Sequence, residues 1–438
     1  MGITLCNCFF SCIKRNNYEI AIANEKGLYG FYNSGNNCYI NSSLQILTRI
    51  NDLCQNIIKD QNKYINEENK LISEFNQVLF FINKGEQKIK PNGIKRVMSE
   101  IDEKYKYNNQ EDANEFISIF LDELLEETKC GLETKENKTF KNKIEEDAYN
   151  KIWRKFYSKK GGSFLVPLFY GLLKTEKKCD GCDGIISIDF NTFNMLELSI
   201  YNYKDLESVK LEKILSDFYG KKLSNKNKQY CYKCKNETTN YNITTIYSLP
   251  KYLIIYFGRT IDNEYINLNI EYEETLKLSP YIRAPKKYKN DNSDLFNIES
   301  KESEFDDNKN EYSLCNIIHY NSSYNSKSGH YTATCLCDDD WYHFNDSFIS
   351  EENEISDFYN REIILFYEKR YIDLRFFYNN QNIIYKTDIN DTLNDIKKKY
   401  FRQNKTSNFY INGKLLDQTK KIKYFLFDPN HIIKVSSI

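Results

Sequence analysis

The chain has 438 residues, 40% of them hydrophobic, and its 61 basic and 62 acidic side chains give a net charge of -1. This length allows two or three domains with sizeable cores, and the balanced charge argues against a nucleic-acid-binding protein, which needs a broad positive field. The sequence has neither an apolar run long enough for a transmembrane helix nor a secretory signal pattern. Its 13 cysteines form an N-terminal group, two Cys-x-x-Cys pairs and scattered single positions, which predicts an intracellular protein with reduced thiols.

Residues 1–25 form a predicted leader that begins Met-Gly and contains several cysteines. This start is typical of N-myristoylation at Gly2, although Cys6 stands where the pattern prefers Ser or Thr. Cys6 and Cys8 are candidates for palmitoylation, and two acyl chains anchor a protein far more stably than one. Two alternatives stay open: peripheral attachment to the cytoplasmic face of a membrane, or an unmodified, disordered leader on a cytoplasmic protein.

The first candidate functional residue is Cys38, which lies where a Gly/Asn-rich turn meets a predicted helix. Ile40, Leu44 and Leu47 recur at helical spacing directly after it. A helix N-terminus carries partial positive charge that favours a thiolate, and its free N–H groups can hold an oxyanion. Asn33 lies close enough upstream to donate a further hydrogen bond. A nucleophilic cysteine is one interpretation, and a buried structural cysteine is the alternative that this segment alone leaves open.

Further along the chain the pattern changes from helical to extended. Residues 116–124 predict a second amphipathic helix, and the charged residues 131–160 predict surface helix or loop. Residues 286–311 are polar and charged, which predicts an insertion between strands. Short strands are predicted at 185–190, 242–249, 252–257, 312–320, 330–337, 341–344 and 362–369.

Two Cys-x-x-Cys pairs lie in this strand-rich part of the chain: Cys179 with Cys182, and Cys231 with Cys234. Each pair can present two thiolates to one ion, and two pairs complete a tetrahedral zinc site with no open position. A structural Zn²⁺ is therefore predicted. A thioredoxin-like redox motif is the rival interpretation, but neither pair has the βαβ context that this motif needs.

A thiol nucleophile needs an imidazole base and a group that orients the imidazole. His330 follows Gly329 at the start of a predicted strand, and a hairpin would return Asn345 and Asp346 beside it. An amide oxygen that accepts from one ring nitrogen would fix the useful tautomer. The other three histidines are His319, predicted to be packed in an apolar strand, His343, and His431 near the C-terminus.

Three segments of the chain resemble the ubiquitin-specific protease family of peptidase C19 type. GLYGFYNSGNNCYINSSLQIL resembles the family's Cys box, SGHYTA followed by WYHFNDS resembles its His box, and QEDANEF resembles an acidic motif between them. The matches come in the family's order and span residues 27–370. The resemblance implies a cysteine deubiquitinase that hydrolyses the bond after the C-terminal glycine of ubiquitin through a thioester. A catalytically silent ubiquitin-binding scaffold and a peptidase for another ubiquitin-like modifier are the alternatives.

The resemblance also implies roles for individual residues. Cys38 would be the nucleophile and His330 the base, with Asn345 as third member, Asp346 as a supporting polar residue and Asn33 in the oxyanion hole. Substrate-binding roles follow for three further residues that would lie near the tail of ubiquitin, namely Asp112, Gln110 and Tyr331. A helix N-cap, in a capping box with Glu115, is the structural alternative for Asp112.

The implied architecture is an α+β, papain-like catalytic domain over residues 26–370, with Thumb, Palm and Fingers subdomains. The Fingers are expected around 163–260, with the zinc at their tip. Residues 371–438 predict a small β-grasp domain, because a strand, a helix with Leu393, Ile396 and Tyr400, and short strands around an Asn-Gly turn follow in order. This segment resembles ubiquitin itself and ends without Gly-Gly, which predicts a regulatory or docking domain rather than a conjugated modifier; a detached folding unit is the alternative.

Overall fold

The computed structural model describes residues 28–64, 68–132, 135, 138–223, 228–261, 264–282, 310–322, 329–352, 361–379, 381–401, 407–411, 413–425 and 432–437. The leader with Gly2, Cys6 and Cys8, nearly all of the polar segment 286–311, and His431 lie outside the described residues. Within the described residues, no helix combines the length and the hydropathy that a membrane span requires.

Twelve α-helices are described, and most of the first nine contribute to one core, which defines a helical lobe. The helix Lys143–Ile152 packs instead in a smaller core with Leu172, Ile188 and Phe190. They are α1 (Cys38–Leu47), α2 (Asn51–Lys59), α3 (Gln61–Tyr64), α4 (Lys70–Asn83), α5 (Asn92–Ile101), α6 (Ala113–Glu127), α7 (Lys143–Ile152), α8 (Ser158–Lys160), α9 (Leu165–Phe169), α10 (Leu211–Tyr219), α11 (Ser279–Ile282) and α12 (Leu393–Tyr400). Every residue of α1 is buried, which places this helix inside the molecule rather than on its surface.

The predicted apolar periodicity after Cys38 continues across a break between two helices. α1 ends at Leu47, and Ile50 is extended before α2 begins. Arg49 lies at this break, where its guanidinium packs over the rings of Tyr29 and Phe344 at 4.3 and 4.1 Å. The apolar spacing persists because both helices contribute to the same core, and the turn follows from tertiary contacts that periodicity does not encode.

The strands form one large sheet and several smaller ones. In chain order they are β1 (Gly30–Phe31), β2 (Lys88–Ile89), β3 (Gly171–Cys179), β4 (Ile185–Phe193), β5 (Leu196–Ser199), β6 (Ser208–Lys210), β7 (Lys221–Leu223), β8 (Gln229–Cys231), β9 (Asn236–Thr238), β10 (Asn240–Ser248), β11 (Tyr252–Gly258), β12 (Thr260–Ile261), β13 (Glu264–Tyr265), β14 (Asn269–Glu271), β15 (Thr275–Lys277), β16 (Glu311–Ser322), β17 (Gly329–Cys337), β18 (Asp340–Asn345), β19 (Phe348–Glu352), β20 (Glu362–Lys369), β21 (Tyr371–Tyr378), β22 (Gln381–Asp388), β23 (Ser407–Ile411), β24 (Lys414–Leu415) and β25 (Ile432–Ser437).

The large sheet has the order β19-β18-β17-β16-β20-β11-β5, with β15 also paired to β16. Its central strands β11 and β20 are buried on both faces. In β11, Ile254 joins the core of the helical lobe, whereas Leu253 and Ile255 join a second core on the opposite face. The near-continuous apolar run of this strand is the pattern expected of a strand covered on both sides.

A four-stranded sheet with the order β4-β3-β10-β7 projects beside the large sheet, and the ribbon of β8 and β9 lies at its end. These strands lie between residues 171 and 248, inside the predicted span 163–260, although β5 within that interval belongs to the large sheet. The four paired cysteines lie at or next to the ends of β3 and β8. The long antiparallel pairing of β3 with β10 carries Cys179 opposite Asn240, at the far end of the hairpin.

The strand end after β11 contains a buried ion pair that the sequence did not indicate. Arg259 is fully buried and its guanidinium binds Glu362 at 2.6 Å. It also donates to the backbone oxygens of Ile266 and Leu268 at 3.2 and 2.8 Å. Each buried charge is therefore paired and hydrogen-bonded, which is the condition for keeping such groups away from water.

Residues 371–437 contain a sheet of order β22-β21-β25-β23-β24 with a core of its own. Helix α12 begins at a capping box between Thr392 and Asp395, and its Leu393 and Ile396 are fully buried, as predicted. This β-grasp arrangement contacts the rest of the chain at Asp388, which pairs with Arg370 at 2.8 Å, and through the segment 421–423. The Lys423 backbone oxygen accepts from Asn51 at 3.2 Å, and Lys421 pairs with Asp339.

Candidate active site and metal centre

The turn before α1 is held by one asparagine side chain. Asn33 accepts hydrogen bonds through Oδ1 from the backbone nitrogens of Gly35 and Asn37, at 3.0 and 3.1 Å. Gly35 and Asn36 have φ values of +124° and +49°, a region that glycine and asparagine enter at least cost. The Gly/Asn-rich composition therefore has a local cause: it allows the sharp turn that brings the chain to Cys38.

Cys38 is the first residue of α1 and only 3% exposed. His330, near the start of β17, lies next to it, and the interaction with Cys38 is the largest influence that raises the pKa of His330 to about 9. Burial opposes the shift, while Asn345 and the charges of Cys38 and Asp346 add to it. The structure thus brings together a thiol and an imidazole that lie far apart in the sequence, in an arrangement suited to an ion pair.

Asn345 lies beside His330, as the hairpin prediction required. Its Oδ1 is 2.7 Å from His330 Nε2. Strands β17 and β18 pair antiparallel with Ala333 opposite Phe344, which makes the two residues diagonal neighbours on one face of the sheet. The amide oxygen can only accept, so Nε2 carries the proton in this contact.

The Asp346 carboxylate connects the turn after β18 to the turn before α1 and to α1 itself by hydrogen bonds. Its Oδ2 accepts from Asn33 Nδ2 at 3.1 Å, and its Oδ1 accepts from Asn41 Nδ2 at 2.7 Å. His330 Nε2 is 4.0 Å from Oδ2, so Asn345 is the closer partner of the imidazole. Asn41 was not predicted as a site residue, but a polar side chain one turn after Cys38 in a fully buried helix was the available signal.

Gln110 connects the base strand to the thiol. Its Oε1 accepts from the backbone nitrogen of Gly329 at 2.7 Å, and its Nε2 donates to the Gly329 oxygen. The same Nε2 lies 3.6 Å from Cys38 Sγ. One side-chain amide therefore satisfies both backbone groups of the residue before His330 and reaches the thiol.

A second hydrogen bond joins the same loop to Tyr331, a buried residue of β17. Tyr331 Oη donates to Asp112 Oδ1 at 3.1 Å. Asp112 occupies the N-cap position of α6 without a side-chain capping bond, and Glu115 pairs with Lys104 at 2.5 Å. Asp112 is therefore the N-cap residue of α6, as the alternative predicted, but no capping box with Glu115 forms, because the Asp112 carboxylate accepts from Tyr331 instead.

Two other described histidines lie deeper in the sheet. His319 Nε2 is 2.8 Å from Thr334 Oγ1, and Thr334 Oγ1 is 3.1 Å from His343 Nδ1. Burial lowers the pKa of His343 to about 4 and holds that of His319 well below its usual range. Both histidines are therefore neutral around pH 7, and His319 is packed as predicted.

The four paired cysteines form one cluster. Their sulfurs all lie within 4.8 Å of one another, with Cys179 to Cys234 at 3.7 Å and Cys182 to Cys231 at 3.6 Å. A tetrahedral zinc with Zn–S bonds of about 2.3 Å separates its ligands by about 3.8 Å. All four thiols are free of disulfides, so the cluster could hold a metal ion.

The two cysteine pairs have the same backbone form. The nitrogen of Asp183 donates to the Cys179 oxygen at 2.9 Å, and the nitrogen of Lys235 donates to the Cys231 oxygen at 2.7 Å. Asp183 and Lys235 both have positive φ, at +56° and +53°. Two matched turns that point their thiols at one centre fit a four-sulfur metal site better than a redox pair.

With this geometry established, comparison with known proteins gives a consistent result. The sequence model of the family described as ubiquitin carboxyl-terminal hydrolase matches residues 29–367, well over half of the chain. That range begins just before the Cys38 turn and ends inside β20. It includes the four paired cysteines and every described residue of the candidate active site.

Several curated proteins are similar to this chain. Ubiquitin carboxyl-terminal hydrolase Usp2 of Drosophila melanogaster is 27% identical over 78% of this chain and 35% of its own length. Probable ubiquitin carboxyl-terminal hydrolase 16 of Schizosaccharomyces pombe is 25% identical over 74% and 63%. Ubiquitin carboxyl-terminal hydrolase 2 of Homo sapiens is 27% identical over 78% and 55%. The chain thus spans between about a third and two thirds of these relatives.

Among solved structures, the SAGA DUB module of Ubp8, Sgf11, Sus1 and Sgf73 bound to monoubiquitin is similar with a TM-score of 0.60. It is 18% identical and covers 84% of this chain and 74% of that chain. The same module bound to ubiquitin aldehyde gives a TM-score of 0.58 at 19% identity, with the same coverage. This likeness shows that the fold is that of the papain-like catalytic domain that the sequence predicted.

Proposed function

Because the chain belongs to the ubiquitin carboxyl-terminal hydrolase family, we propose that it is a thiol-dependent deubiquitinase. The reaction is hydrolysis of the peptide or isopeptide bond after the C-terminal glycine of ubiquitin. The observation that carries this proposal is the contact of His330 with both Cys38 and Asn345. A buried thiol, a base and an orienting amide are the three parts that nucleophilic thiol catalysis requires.

In the proposed first step, the Cys38 thiolate attacks the carbonyl carbon of the terminal glycine. The C=O electron pair moves onto oxygen, and the N–H groups at the start of α1 stabilise the oxyanion. One N–H of Asn33 Nδ2 is engaged by Asp346 at 3.1 Å, which fixes the amide while its second N–H is available to the oxyanion. His330 then gives its proton to the leaving lysine amine, and the C–N bond breaks.

In the second step water hydrolyses the thioester. Neutral His330 accepts a proton from the water as the oxygen attacks, the C–S bond breaks, and the proton restores the Cys38–His330 pair. Asn345 keeps the imidazole oriented through both steps by its contact with Nε2. Asp346 supports the site indirectly, because its carboxylate holds Asn33 and Asn41 and adds negative charge near the imidazolium.

Gln110, Asp112 and Tyr331 line the approach to Cys38 in the proposed enzyme. A substrate tail that reaches the thiol passes between the loop of Gln110 and Asp112 and the strand of Gly329 and Tyr331. The Asp112 carboxylate is suited to accept hydrogen bonds from backbone N–H groups of an extended peptide. The tie from Gln110 to Gly329 and Cys38 favours a positioning role for Gln110 in addition to the predicted substrate contact.

We assign zinc to the four-cysteine cluster, with Cys179, Cys182, Cys231 and Cys234 as ligands. The near-tetrahedral spacing of the sulfurs and the two matched turns support a structural ion. When bound, zinc supplies a cross-link between two hairpin ends and takes no part in the acyl transfer. The hairpins of 171–248 are then the Fingers, the helical lobe the Thumb and the large sheet the Palm.

The residues outside the catalytic region receive two further proposals. Residues 371–438 are a ubiquitin-like domain, and the strand order of the β-grasp supports this assignment. The proposed role of this domain is docking or regulation.

The leader is acylated at Gly2 and at Cys6 or Cys8, and tethers a cytoplasmic enzyme to a membrane. An alkyne analogue of myristate tests the leader: wild type takes up label and Gly2→Ala does not, and absence of label on wild type rejects the idea.

The enzymatic proposal is tested with ubiquitin that carries a C-terminal electrophile. The wild-type chain is expected to form a covalent adduct, and Cys38→Ala is expected to form none. Cys54→Ala is the matched control, because Cys54 is a buried thiol whose pKa burial raises to about 12, and its adduct yield should equal that of wild type.

The same experiment separates the alternatives. An unlabelled wild-type chain that still binds ubiquitin would identify a catalytically silent scaffold. An adduct with an electrophile on a different ubiquitin-like modifier, and none with ubiquitin, would identify a peptidase for that modifier. Either result rejects deubiquitinase activity.

A further inference from the structure

A lysine of helix α5 holds the turn that leads to Cys38. Lys95 Nζ donates to Asn37 Oδ1 at 2.8 Å, and Asn37, the residue directly before Cys38, is only 2% exposed. The backbone nitrogen of Asn37 in turn donates to Asn33 Oδ1 at 3.1 Å. A continuous chain of hydrogen bonds therefore runs from α5 through Asn37 to Asn33.

The same ammonium also binds the loop that precedes Gln110. Lys95 Nζ donates to Asn108 Oδ1 at 2.9 Å, and the backbone oxygen of Asn108 accepts from Asn36 Nδ2 at 2.6 Å. The turn before α1 and the loop before Gln110 are thus joined at two places, through Lys95 and directly by Asn36. These are the two loops that meet at the thiol.

The charge of Lys95 is balanced by amide oxygens alone in the part of the chain that the structure describes. Both hydrogen bonds of its ammonium go to asparagine side chains, whose oxygens carry only partial negative charge. The cation is therefore not neutralised, and its field extends into the turn. Such a field favours negative charge that develops near the N–H groups at the start of α1.

We propose that Lys95 is a positioning residue for acyl transfer, which fixes the turn that holds the oxyanion. This inference rests on the proposed deubiquitinase activity. Lys95 acts on the oxyanion side chain Asn33 through Asn37, whose backbone nitrogen binds the Asn33 amide oxygen. The tetrahedral intermediates on the way to the thioester and on the way from it carry the same oxyanion, so Lys95 contributes to both steps.

The test measures steady-state turnover of a fluorogenic ubiquitin C-terminal amide by the full chain. Because Lys95 acts through the turn, Lys95→Met should lower kcat by about tenfold or more and leave KM within about twofold of wild type. Lys95→Arg, which keeps a cation and its donors, should regain part of the lost kcat. Iodoacetamide should alkylate Cys38 at the wild-type rate in both variants, since alkylation needs the thiolate but forms no oxyanion.

Two further variants sharpen the result. Lys106→Met is the matched control, because it removes the same charge from an exposed lysine just before the same loop, and its kcat should stay near that of wild type. Asn37→Ala removes the acceptor of the Lys95 hydrogen bond. The double variant of Lys95→Met and Asn37→Ala should be within about twofold of the slower single variant, since both changes break one interaction. The thermal midpoint reports whether each variant is folded.

Several outcomes would overturn the role of Lys95 while the enzyme itself remains active. They are an unchanged kcat in Lys95→Met, a rise in KM alone, an equal loss in Lys106→Met, slower alkylation of Cys38, or losses that multiply in the double variant. If wild type neither turns over the amide nor forms an adduct with electrophilic ubiquitin, the proposed function fails, and this inference fails with it.

Discussion

Two groups of cysteines in this protein have opposite surroundings. Cys38 faces an imidazole, an amide and the start of a helix, whereas Cys179, Cys182, Cys231 and Cys234 face one another. The first arrangement provides a base and a hydrogen-bonding amide for a single sulfur. The second provides four equivalent donors and no base. All five residues carry the same thiol, and the groups around each sulfur decide whether it is placed for nucleophilic attack or for metal binding.

The two regions also differ in how they are assembled. The cysteine cluster is formed by two local turns of the same design, each with its own backbone hydrogen bond. The Cys38 site combines segments around residues 33–41, 110–112 and 329–346, and one of its hydrogen bonds joins residues 313 positions apart. A change at the cluster should therefore act mainly on metal binding and local stability, and a change at the Cys38 site mainly on rate.

The largest effect is expected for His330→Gln. Loss of the base should lower kcat/KM on a fluorogenic ubiquitin C-terminal amide by roughly 10³-fold or more, with little change in the thermal midpoint of unfolding. His343→Gln is the control, because this neighbouring histidine contacts Thr334 rather than Cys38, and its rate should stay near that of wild type. A His330 variant that retains a tenth of the activity would show that another group serves as base.

The second largest effect on activity is expected for Gln110→Ala. Loss of the Gln110 hydrogen bonds to Gly329 should loosen the strand that carries His330. Displacement of a catalytic group by about 1 Å lowers the rate by up to about 10²-fold. If Gln110 acts by positioning this strand, kcat should fall while KM changes little. Steady-state kinetics measures both constants. Gln77→Ala, on the exposed side of α4, is the matched control. A rise in KM alone would instead favour the substrate-binding role predicted from the sequence.

Cys182→Ser should remove the metal. Mass spectrometry of the purified protein is expected to find about one zinc per wild-type chain and less than about a tenth of that in the variant. Turnover of the ubiquitin amide should fall by about tenfold, while alkylation of Cys38 by iodoacetamide continues at the wild-type rate, because the cluster takes no part in the chemistry. Cys130→Ser, at an exposed thiol outside the cluster, should retain the metal. Slower alkylation in Cys182→Ser would contradict this separation of the two regions.

The smallest effect concerns pH. The pKa of His330 is raised to about 9, mainly by its interaction with Cys38 and further by Asn345 and the charge of Asp346. Since the folded pKa lies above the ordinary one, the stability that the imidazolium contributes is fully present below about pH 6.5 and is lost as pH rises through about 9. The descending limb of kcat/KM should lie near pH 9, and Asn345→Ala should move it to lower pH. An unmoved limb would mean that Asn345 does not stabilise the imidazolium.

Much of this protein could be predicted from its sequence because the signals were local. The strand of residues 362–369 was predicted with the bounds that the structure has, and the helix around Phe116 was found by its apolar spacing. The predicted hairpin placed Asn345 beside His330, and the strand register has that arrangement. The capping box proposed for Asp112 failed because its carboxylate has a tertiary partner in Tyr331, which local spacing cannot reveal.

The sequence by itself determined the chemical types at the site and the elements that carry them, since side-chain chemistry and periodicity are properties of neighbouring residues. Only the tertiary structure decided that Asp346 binds Asn33 and Asn41, that Gln110 ties Gly329 to Cys38, and that Arg259 is buried against Glu362. Those contacts depend on how helices and sheets pack across the cleft. Differences of about 1 Å in that packing choose the partner of each polar group, and they arise from the whole core rather than from any segment.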